Sequence, residues 1–360
     1  MSIHRITSAL HIGRWSRRGE HMPSRALREA DFSAVSSLAI DQSRCLRMRF
    51  NQHSCNRCAE SCHGRAISIQ NGLEVTNDTC SGCMLCVSAC PSGCFEIRRL
   101  DFYSVLSRLK GIPSPVLGCS DEPCVVAHEK TCCLGFLSEE HLMALSAFLQ
   151  QPVQINLTAC AACKNGFIVE VLKGRLETIH EKTSAAISKN IVLVEEEAEL
   201  VFRDVFVGRR TFFKTIKTLA MRNAAALFPP ETPKKGVSAY SGKKVPFRRA
   251  LLNRILPTLS GETYGEVLKH FYYTASVDRL CDDCFSCVAA CPSGAFTTEQ
   301  NESEVFLLHK SSLCTGCGLC VGFCMNKAIQ ITPGYAKGSP HAFSRIKKEN
   351  TSRQVQSSVA

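Results

Sequence analysis

The sequence predicts a mixed α+β protein in which two cysteine-rich modules flank a small α/β domain with a parallel sheet and a basic helical linker. Closely spaced cysteine runs occur in pairs near both ends of the chain, and short apolar strands alternate with helical stretches between them. The predicted segments are a poorly structured extension (1–43), a first module (44–100), the α/β domain (110–200), a basic helical region (201–275), a second module (276–335) and a flexible tail (336–360).

The second module contains the run C-x2-C-x2-C-x3-C twice, at Cys281–Cys291 and at Cys314–Cys324. The module resembles a bacterial two-cluster ferredoxin, which implies that three cysteines of each run bind one [4Fe-4S] cluster and the fourth reaches the other cluster. The implied ligand sets are Cys281, Cys284, Cys287 and Cys324, and Cys314, Cys317, Cys320 and Cys291. A pair of zinc knuckles is the alternative, and the third closely spaced cysteine and the trailing Cys-Pro of the first run weigh against it.

The first module repeats this pattern with one departure. The run Cys80–Cys90 is complete, whereas the run that ends at Cys62 has Gln52 where the first ligand belongs. We expect Cys45 to supply the missing thiolate; His53, or a three-iron cluster with an open corner, is the alternative. The resemblance then implies the ligand sets Cys45, Cys55, Cys58 and Cys90, and Cys80, Cys83, Cys86 and Cys62. The sequence thus predicts four [4Fe-4S] clusters in total.

Strand signals follow the same plan in both modules. Asn71-Gly72 separates two alternating stretches and predicts a β-hairpin between the two cysteine runs of the first module. A short strand is predicted from Phe95. In the second module, strands are predicted at 295–298, 305–308 and 328–331. The remaining cysteine of the first module, Cys94, is expected to be a small buried residue.

The middle of the chain alternates apolar strands with helices. Strands are predicted at 115–117, 153–157 and 190–194, and helices from Ser138 and over 167–187. This order predicts a small parallel sheet, in which sites form beyond the carboxyl ends of the strands. Six cysteines fall near those ends, so we expect them to converge in space. They are Cys119, Cys124, Cys132, Cys133, Cys160 and Cys163.

Several hypotheses are compatible with this group of cysteines. The favoured one is a fifth metal centre, an iron–sulfur cluster or Zn, held by Cys119, Cys133, Cys160 and Cys163, with Cys124 or Cys132 in reserve. The pattern weakly resembles the cysteine-rich domain of heterodisulfide reductases and the iron–sulfur subunits of hydrogenases. A structural zinc, a redox-active dithiol at Cys160 and Cys163, or no site are the alternatives. His128 and His141 are expected to be surface helix residues rather than ligands.

The formal charge of +11 is concentrated in one segment. Between Arg203 and Ile255 there are thirteen Lys or Arg and two acids. A basic amphipathic helix is predicted over 208–228 and a second from Pro246. Either these helices pack under the modules, or residues Arg209, Arg210, Lys214 and Lys217 dock an acidic redox partner. No nucleic-acid-binding motif accompanies the charge, so nucleic acid is not expected as a partner.

The sequence therefore predicts an electron-transfer protein that passes single electrons to or from a larger oxidoreductase or another carrier. The alternatives are a redox enzyme subunit with thiol–disulfide or metal-centre chemistry at the middle cysteines, and an accessory protein that matures a redox enzyme. The sequence contains no run of about 18 apolar residues, so no membrane span is expected. No secretory signal is predicted in residues 1–31, and the 23 cysteines favour a reducing, cytoplasmic location.

Overall fold

The computed structural model of the chain describes residues 37–70, 72–122, 124–149, 151–183, 185–203, 242–302, 304–336, 338–346 and 348–349. The basic helix predicted over 208–228, with the four proposed docking residues, lies outside the described residues. So does most of the extension 1–43. Within the described residues, no helix is both long enough and apolar enough to cross a membrane.

The first module is built from short elements around its cysteine runs. In chain order they are β1 (Leu38–Ile40), α1 (Leu46–Arg49), α2 (Arg57–Glu60), β2 (Ile67–Ser68), β3 (Glu74–Val75), α3 (Leu85–Ala89) and β4 (Phe95–Ile97). The predicted hairpin is confirmed, because β2 and β3 pair antiparallel. The prediction that the extension is poorly structured as far as residue 43 is wrong at its end, since β1 pairs with β4, Leu38 opposite Ile97.

The middle of the chain forms a four-stranded parallel sheet in the order β6-β5-β7-β8. Its elements are α4 (Phe102–Leu109), β5 (Val116–Cys119), β6 (Glu129–Thr131), α5 (Glu139–Leu149), β7 (Val153–Asn156), α6 (Ile168–Lys182), α7 (Ala185–Ser188) and β8 (Ile191–Val194). The predicted parallel sheet is confirmed. Strand β6 was not predicted, because its Glu-Lys-Thr sequence carries no apolar strand signal.

The second module follows two helices. The elements are α8 (Phe247–Ile255), α9 (Gly261–Phe271), β9 (Tyr273–Asp278), α10 (Ser286–Ala290), β10 (Phe296–Gln300), β11 (Val305–His309), α11 (Leu319–Phe323), β12 (Ile329–Pro333), β13 (Ser344–Arg345) and β14 (Lys348–Glu349). Strands β10 and β11 form a hairpin that β13 extends, and β14 pairs with β9. The prediction of a flexible tail from 336 is therefore wrong for these two pairing segments.

One apolar core runs through the first module, the parallel sheet and helices α8 and α9, while the second module has a core of its own. Helix α8, predicted as basic, buries Leu251, Leu252 and Ile255. One of its basic residues does not face solvent, because Arg249 is buried with its guanidinium over the ring of Tyr272. These contacts make α8 a packing helix, which is the first of the two roles that its sequence allows.

Candidate metal centres

Five groups of cysteines come together, and we number them site 1 to site 5. Site 1 is a single cavity lined by Cys45, Cys55, Cys58 and Cys90. Cys45 enters it from the start of α1, while Gln52 is exposed. His53 instead uses its ring Nδ1 to accept a hydrogen bond from the Cys55 backbone N–H at 3.0 Å. The structure therefore brings Cys45, and not Gln52, to the cavity of site 1.

Site 2 comprises Cys62, Cys80, Cys83 and Cys86. Burial raises the pKa of Cys83, and the charges of Cys62 and Cys80 raise it further. Burial likewise raises the pKa of Cys86 well above its usual value, with added contributions from Cys83 and Cys80. The four thiols are thus electrostatic neighbours, and the fourth cysteine of the incomplete run faces the complete run.

The second module contains the equivalent two sites. Site 3 is lined by Cys281, Cys284, Cys287 and Cys324. Site 4 comprises Cys314, Cys317, Cys320 and Cys291. Burial raises the pKa of Cys314 to about 12, that of Cys317 to about 11 and that of Cys320 well above its usual value, and the charge of Cys291 adds to all three. In all four sites, three cysteines from one stretch of chain meet the fourth cysteine of the other run.

Backbone N–H groups point at the fourth cysteine of each run. The N–H four residues later donates to the sulfur at 3.2 Å from Ala66 to Cys62, from Cys94 to Cys90 and from Ala295 to Cys291. The same bond joins Ala328 to Cys324 at 3.4 Å. Such donors stabilise a thiolate, and they are one of the means by which proteins set the potential of an iron–sulfur cluster.

Cys94 has a role that the sequence reading did not assign. It is buried, as expected, but it also lines site 1, and its thiol donates a hydrogen bond to the Cys45 sulfur. This hydrogen bond lowers the pKa of Cys45 to about 6. The signal was present in the sequence, because Cys-Pro-Ser-Gly-Cys-Phe in the first module corresponds to Cys-Pro-Ser-Gly-Ala-Phe in the second.

Site 5 lies at the carboxyl edge of the parallel sheet. One cavity there is lined by all four cysteines of the predicted fifth centre, together with Asp121, Glu122 and Asn165. The four cysteines are Cys119, Cys133, Cys160 and Cys163. Cys119 ends β5, Cys133 follows β6, and the other two follow β7. The unpredicted strand β6 therefore explains how Cys133 reaches the edge that Cys119 and Cys160 share.

The other candidate ligands of the middle domain do not line this cavity. Cys124 is exposed. Cys132 is partly buried, and burial raises its pKa to about 12. The expectation that both histidines are surface helix residues is wrong. His141 is buried in α5, where its Nδ1 and the Ser138 hydroxyl are 2.9 Å apart, and His128 lies before β6, with its Nδ1 accepting the Val116 N–H.

The electrostatics of site 5 resemble those of the ferredoxin-type sites. Backbone N–H groups of Asp121 and Asn165 donate to the sulfurs of Cys119 and Cys163, each at 3.4 Å. The Cys133 thiol donates to Cys119, which lowers the pKa of Cys119. Burial and the neighbouring Cys163 raise the pKa of Cys160 to about 11. The pKa of Cys119 is thus lowered, whereas the raised pKa of Cys160 means that this thiol needs a nearby cation to ionise.

Site 5 lies directly against site 2. The Asn165 side chain donates to the Ser81 carbonyl at 3.1 Å. Gly135 packs so closely on the first module that a Cβ there would lie 2.1 Å from the Cys83 carbonyl oxygen. The charge of Cys83 also contributes to the raised pKa of Cys133. Glycine at 135 is therefore a requirement of this contact.

The donor sets fit iron–sulfur clusters. Buried thiols with raised pKa values become thiolates only when positive charge is supplied, as bound iron does. Among the described residues, no group of three or more His, Cys, Asp or Glu is placed to hold a metal ion. A four-iron cluster places each thiolate on a different iron, so its ligands do not converge on one ion. The absence of a single-ion site among the described residues applies equally to sites 1 to 5, so it does not distinguish one site from another.

Comparison with protein families identifies two regions of the chain. A model of the 4Fe-4S dicluster domain matches residues 280–329, and a model of the 4Fe-4S binding domain matches residues 73–96. Comparison with curated proteins and with solved structures finds no match. The chain therefore carries two 4Fe-4S ferredoxin-type domains, which support an iron–sulfur electron-transfer role.

Proposed function

We propose that the protein is a multi-cluster electron carrier with [4Fe-4S] clusters at sites 1 to 4. The observation that carries this proposal is the repeated grouping of three cysteines from one stretch with the fourth cysteine of the other run. Its chemistry is the transfer of single electrons, for which the protein supplies position, burial and N–H···S hydrogen bonds. Its partner is a larger oxidoreductase or a second carrier, which it serves as subunit or shuttle.

A fifth iron–sulfur cluster at site 5 is the second part of the proposal. Four cysteines line one cavity, and N–H donors reach two of their sulfurs, as they do in the ferredoxin-type sites. The contact between Gly135 and Cys83 places this cavity beside site 2. That position favours an electron-accepting centre over a zinc ion with a purely structural role, because Zn²⁺ has no redox chemistry.

A thiol–disulfide enzyme at Cys160 and Cys163 is less well supported. An attacking cysteine needs a lowered pKa, as found near cations or helix N-termini. At Cys160 the pKa is instead raised to about 11, first by burial and then by Cys163. All 23 cysteines are free, so no disulfide marks a reactive pair.

The first test is the amount of iron, zinc and acid-labile sulfide per chain in protein purified without oxygen. The double variant Cys160→Ala/Cys163→Ala is measured beside it, with Cys124→Ala as the matched control because Cys124 is exposed and outside site 5. We expect about twenty iron in the native protein and in the control, and about sixteen in the double variant.

Other outcomes would change the assignment. About sixteen iron in all three proteins, with zinc lost only from the double variant, would make site 5 a structural zinc site. Fewer than about sixteen iron after full reconstitution with iron and sulfide would contradict the four-cluster carrier itself.

A further inference from the structure

The two ferredoxin-type modules meet at a small apolar junction. Its buried residues are Leu46, Ala290 and Leu319, and the partly buried side chains packed on them include Phe50 and Phe323. The rings of Phe50 and Phe323 meet edge to face, with centroids 5.1 Å apart. Because Leu46 begins α1 of the first module and Leu319 begins α11 of the second, the junction joins the two cluster-binding regions directly.

The junction also contains one cysteine from each module. Cys55 of site 1 and Cys317 of site 4 both pack in this cluster. Nearby, a Cβ added at Gly322 would lie 3.5 Å from Cδ2 of His53, so the loop of site 1 rests on the helix of site 4. Each module thus presents a particular one of its two sites to the other module.

Site 2 of the first module faces the sheet domain instead of the junction. The hydrogen bond from Asn165 to Ser81 and the contact of Gly135 with Cys83 fix that face. In the second module, the cysteines packed in the junction do not include those of site 3, and Cys284 of site 3 is exposed. The surroundings of site 3 include Leu280 and Met325, whose exposed fractions of 55% and 93% are large for apolar side chains.

We propose that the junction of Leu46, Phe50, Leu319 and Phe323 joins the modules into one line of centres, in the order site 3, site 4, site 1, site 2 and site 5. This inference rests on the proposed function, since it requires clusters at these sites. An electron leaves the reduced cluster of site 4, which becomes oxidised, and reduces the cluster of site 1, or moves in the reverse direction. Site 3 is the end that exchanges electrons with an external one-electron donor or acceptor, and site 5 is the other end.

The proposed order of the centres depends on which site of each module faces the other module. Had the modules met through sites 2 and 3, site 5 would lie near the middle of the chain of centres rather than at its end. The protein's contribution to electron transfer is the placement of its centres, so the surface through which two modules pack decides which centres exchange electrons. An apolar junction also excludes water and mobile ions, which keeps the environment of the two facing sites fixed.

The test compares two substitutions on one helix. Leu319→Arg places a charge in the junction, where the native side chain is 1% exposed, and an unpaired buried charge forces the two surfaces apart. Val321→Arg, on the same helix at a position 37% exposed, is the matched control. Iron is counted first in the full chain, so that loss of clusters is recognised as a failure of the proposed function or of folding.

The variants are then reduced with dithionite without oxygen and compared by electron paramagnetic resonance and by stopped-flow absorbance. In the native protein and in Val321→Arg we expect magnetic interaction between clusters of different modules and reduction of all clusters in one kinetic phase. In Leu319→Arg with full iron we expect loss of that interaction and separation of reduction into two phases.

Unchanged spectra and a single phase in Leu319→Arg with full iron would overturn the proposal. If Leu319→Arg does not retain its iron, the milder variant Phe323→Leu takes its place, because it removes the ring contact with Phe50 without adding a charge. We then expect a partial loss of the interaction, and an unchanged interaction in that variant would overturn the proposal in the same way.

Discussion

The two ferredoxin-type modules group their cysteines in the same way, but one cysteine of the first module comes from a different stretch of chain. In the second module the first cysteine of site 3 is Cys281, inside the run. In the first module, site 1 takes Cys45 from a separate turn that lies ten residues before Cys55. The neighbouring Arg44 is buried, and its guanidinium contacts Glu96 on β4 at 2.9 Å. A tertiary contact thus brings to site 1 a cysteine that the local spacing of the run does not supply.

Two further positions separate the modules. Cys94 follows Cys90 by four residues, as Ala295 follows Cys291, and both donate a backbone N–H to that cysteine at 3.2 Å. Only Cys94 adds a thiol donor, directed at the displaced ligand Cys45. His309 lies five residues before Cys314, where the first module has Val75 before Cys80. At each of these positions, the residue found in one module can be compared with the residue found in the other module.

The largest effect is expected from removal of the displaced ligand. The double variant Cys45→Ala/Cys94→Ala removes the Cys45 thiolate from site 1. It also removes Cys94, the fifth cysteine that lines the cavity, so that Cys94 cannot replace Cys45. We expect the iron content to fall by about four atoms per chain. Gln52→Ala and Cys94→Ala alone should keep all their iron. A loss of about one iron would instead indicate a three-iron cluster, and no loss would assign the ligand to His53.

A smaller effect is expected on the reduction potential of site 1. Cys94→Ala removes a hydrogen bond to Cys45, and the reduced cluster, which carries more negative charge, loses more stability than the oxidised one. A difference of about 1 kcal/mol corresponds to a fall of roughly 40 mV in a one-electron potential. Redox titration followed by electron paramagnetic resonance measures it. Cys94→Ser keeps a donor and should retain most of the native potential; an equal fall in both variants would mean that packing, and not the hydrogen bond, is responsible.

The spacing of cysteines along the chain carried most of what could be predicted about the sites. The groupings of sites 3 and 4 follow from local runs, and the parallel sheet follows from its apolar strands. Strand β6 was missed because Glu129–Thr131 is polar and is ordered by pairing with β5. The tail strand at Ser344–Arg345 likewise depends on β11.

Contacts between domains left no local signal in the sequence. Gly135 is an ordinary glycine in the sequence, and only the fold shows that a Cβ there would meet the Cys83 carbonyl oxygen. The junction around Leu46 and Leu319 is similar, since these two residues are 273 positions apart in the chain. Such contacts depend on how finished modules pack, which the spacing within either module does not determine.

The last difference between the modules that we test is His309, which replaces the valine of the first module at a buried position beside Phe296. Its ring lies 4.9 Å from that of Phe296, and neither ring nitrogen has a hydrogen-bond partner among the described residues. Burial lowers the pKa of His309 to about 4 from an ordinary value of 6.5. The folded protein therefore keeps this ring neutral over a range in which the unfolded chain binds a proton, and stability falls as the pH drops below 6.5 towards 4.

We expect His309→Val to remove this loss, so that the variant gains about 2 kcal/mol relative to the native protein between pH 7 and pH 5. Denaturant midpoints measured at both pH values, without oxygen, provide the comparison. His180→Gln, at an exposed histidine of α6, is the matched control and should follow the native protein at both pH values. Equal pH dependence in His309→Val and the native protein would mean that His309 is charged in the folded state or becomes hydrated, and the second module would then tolerate a polar group where the first module needs an apolar one.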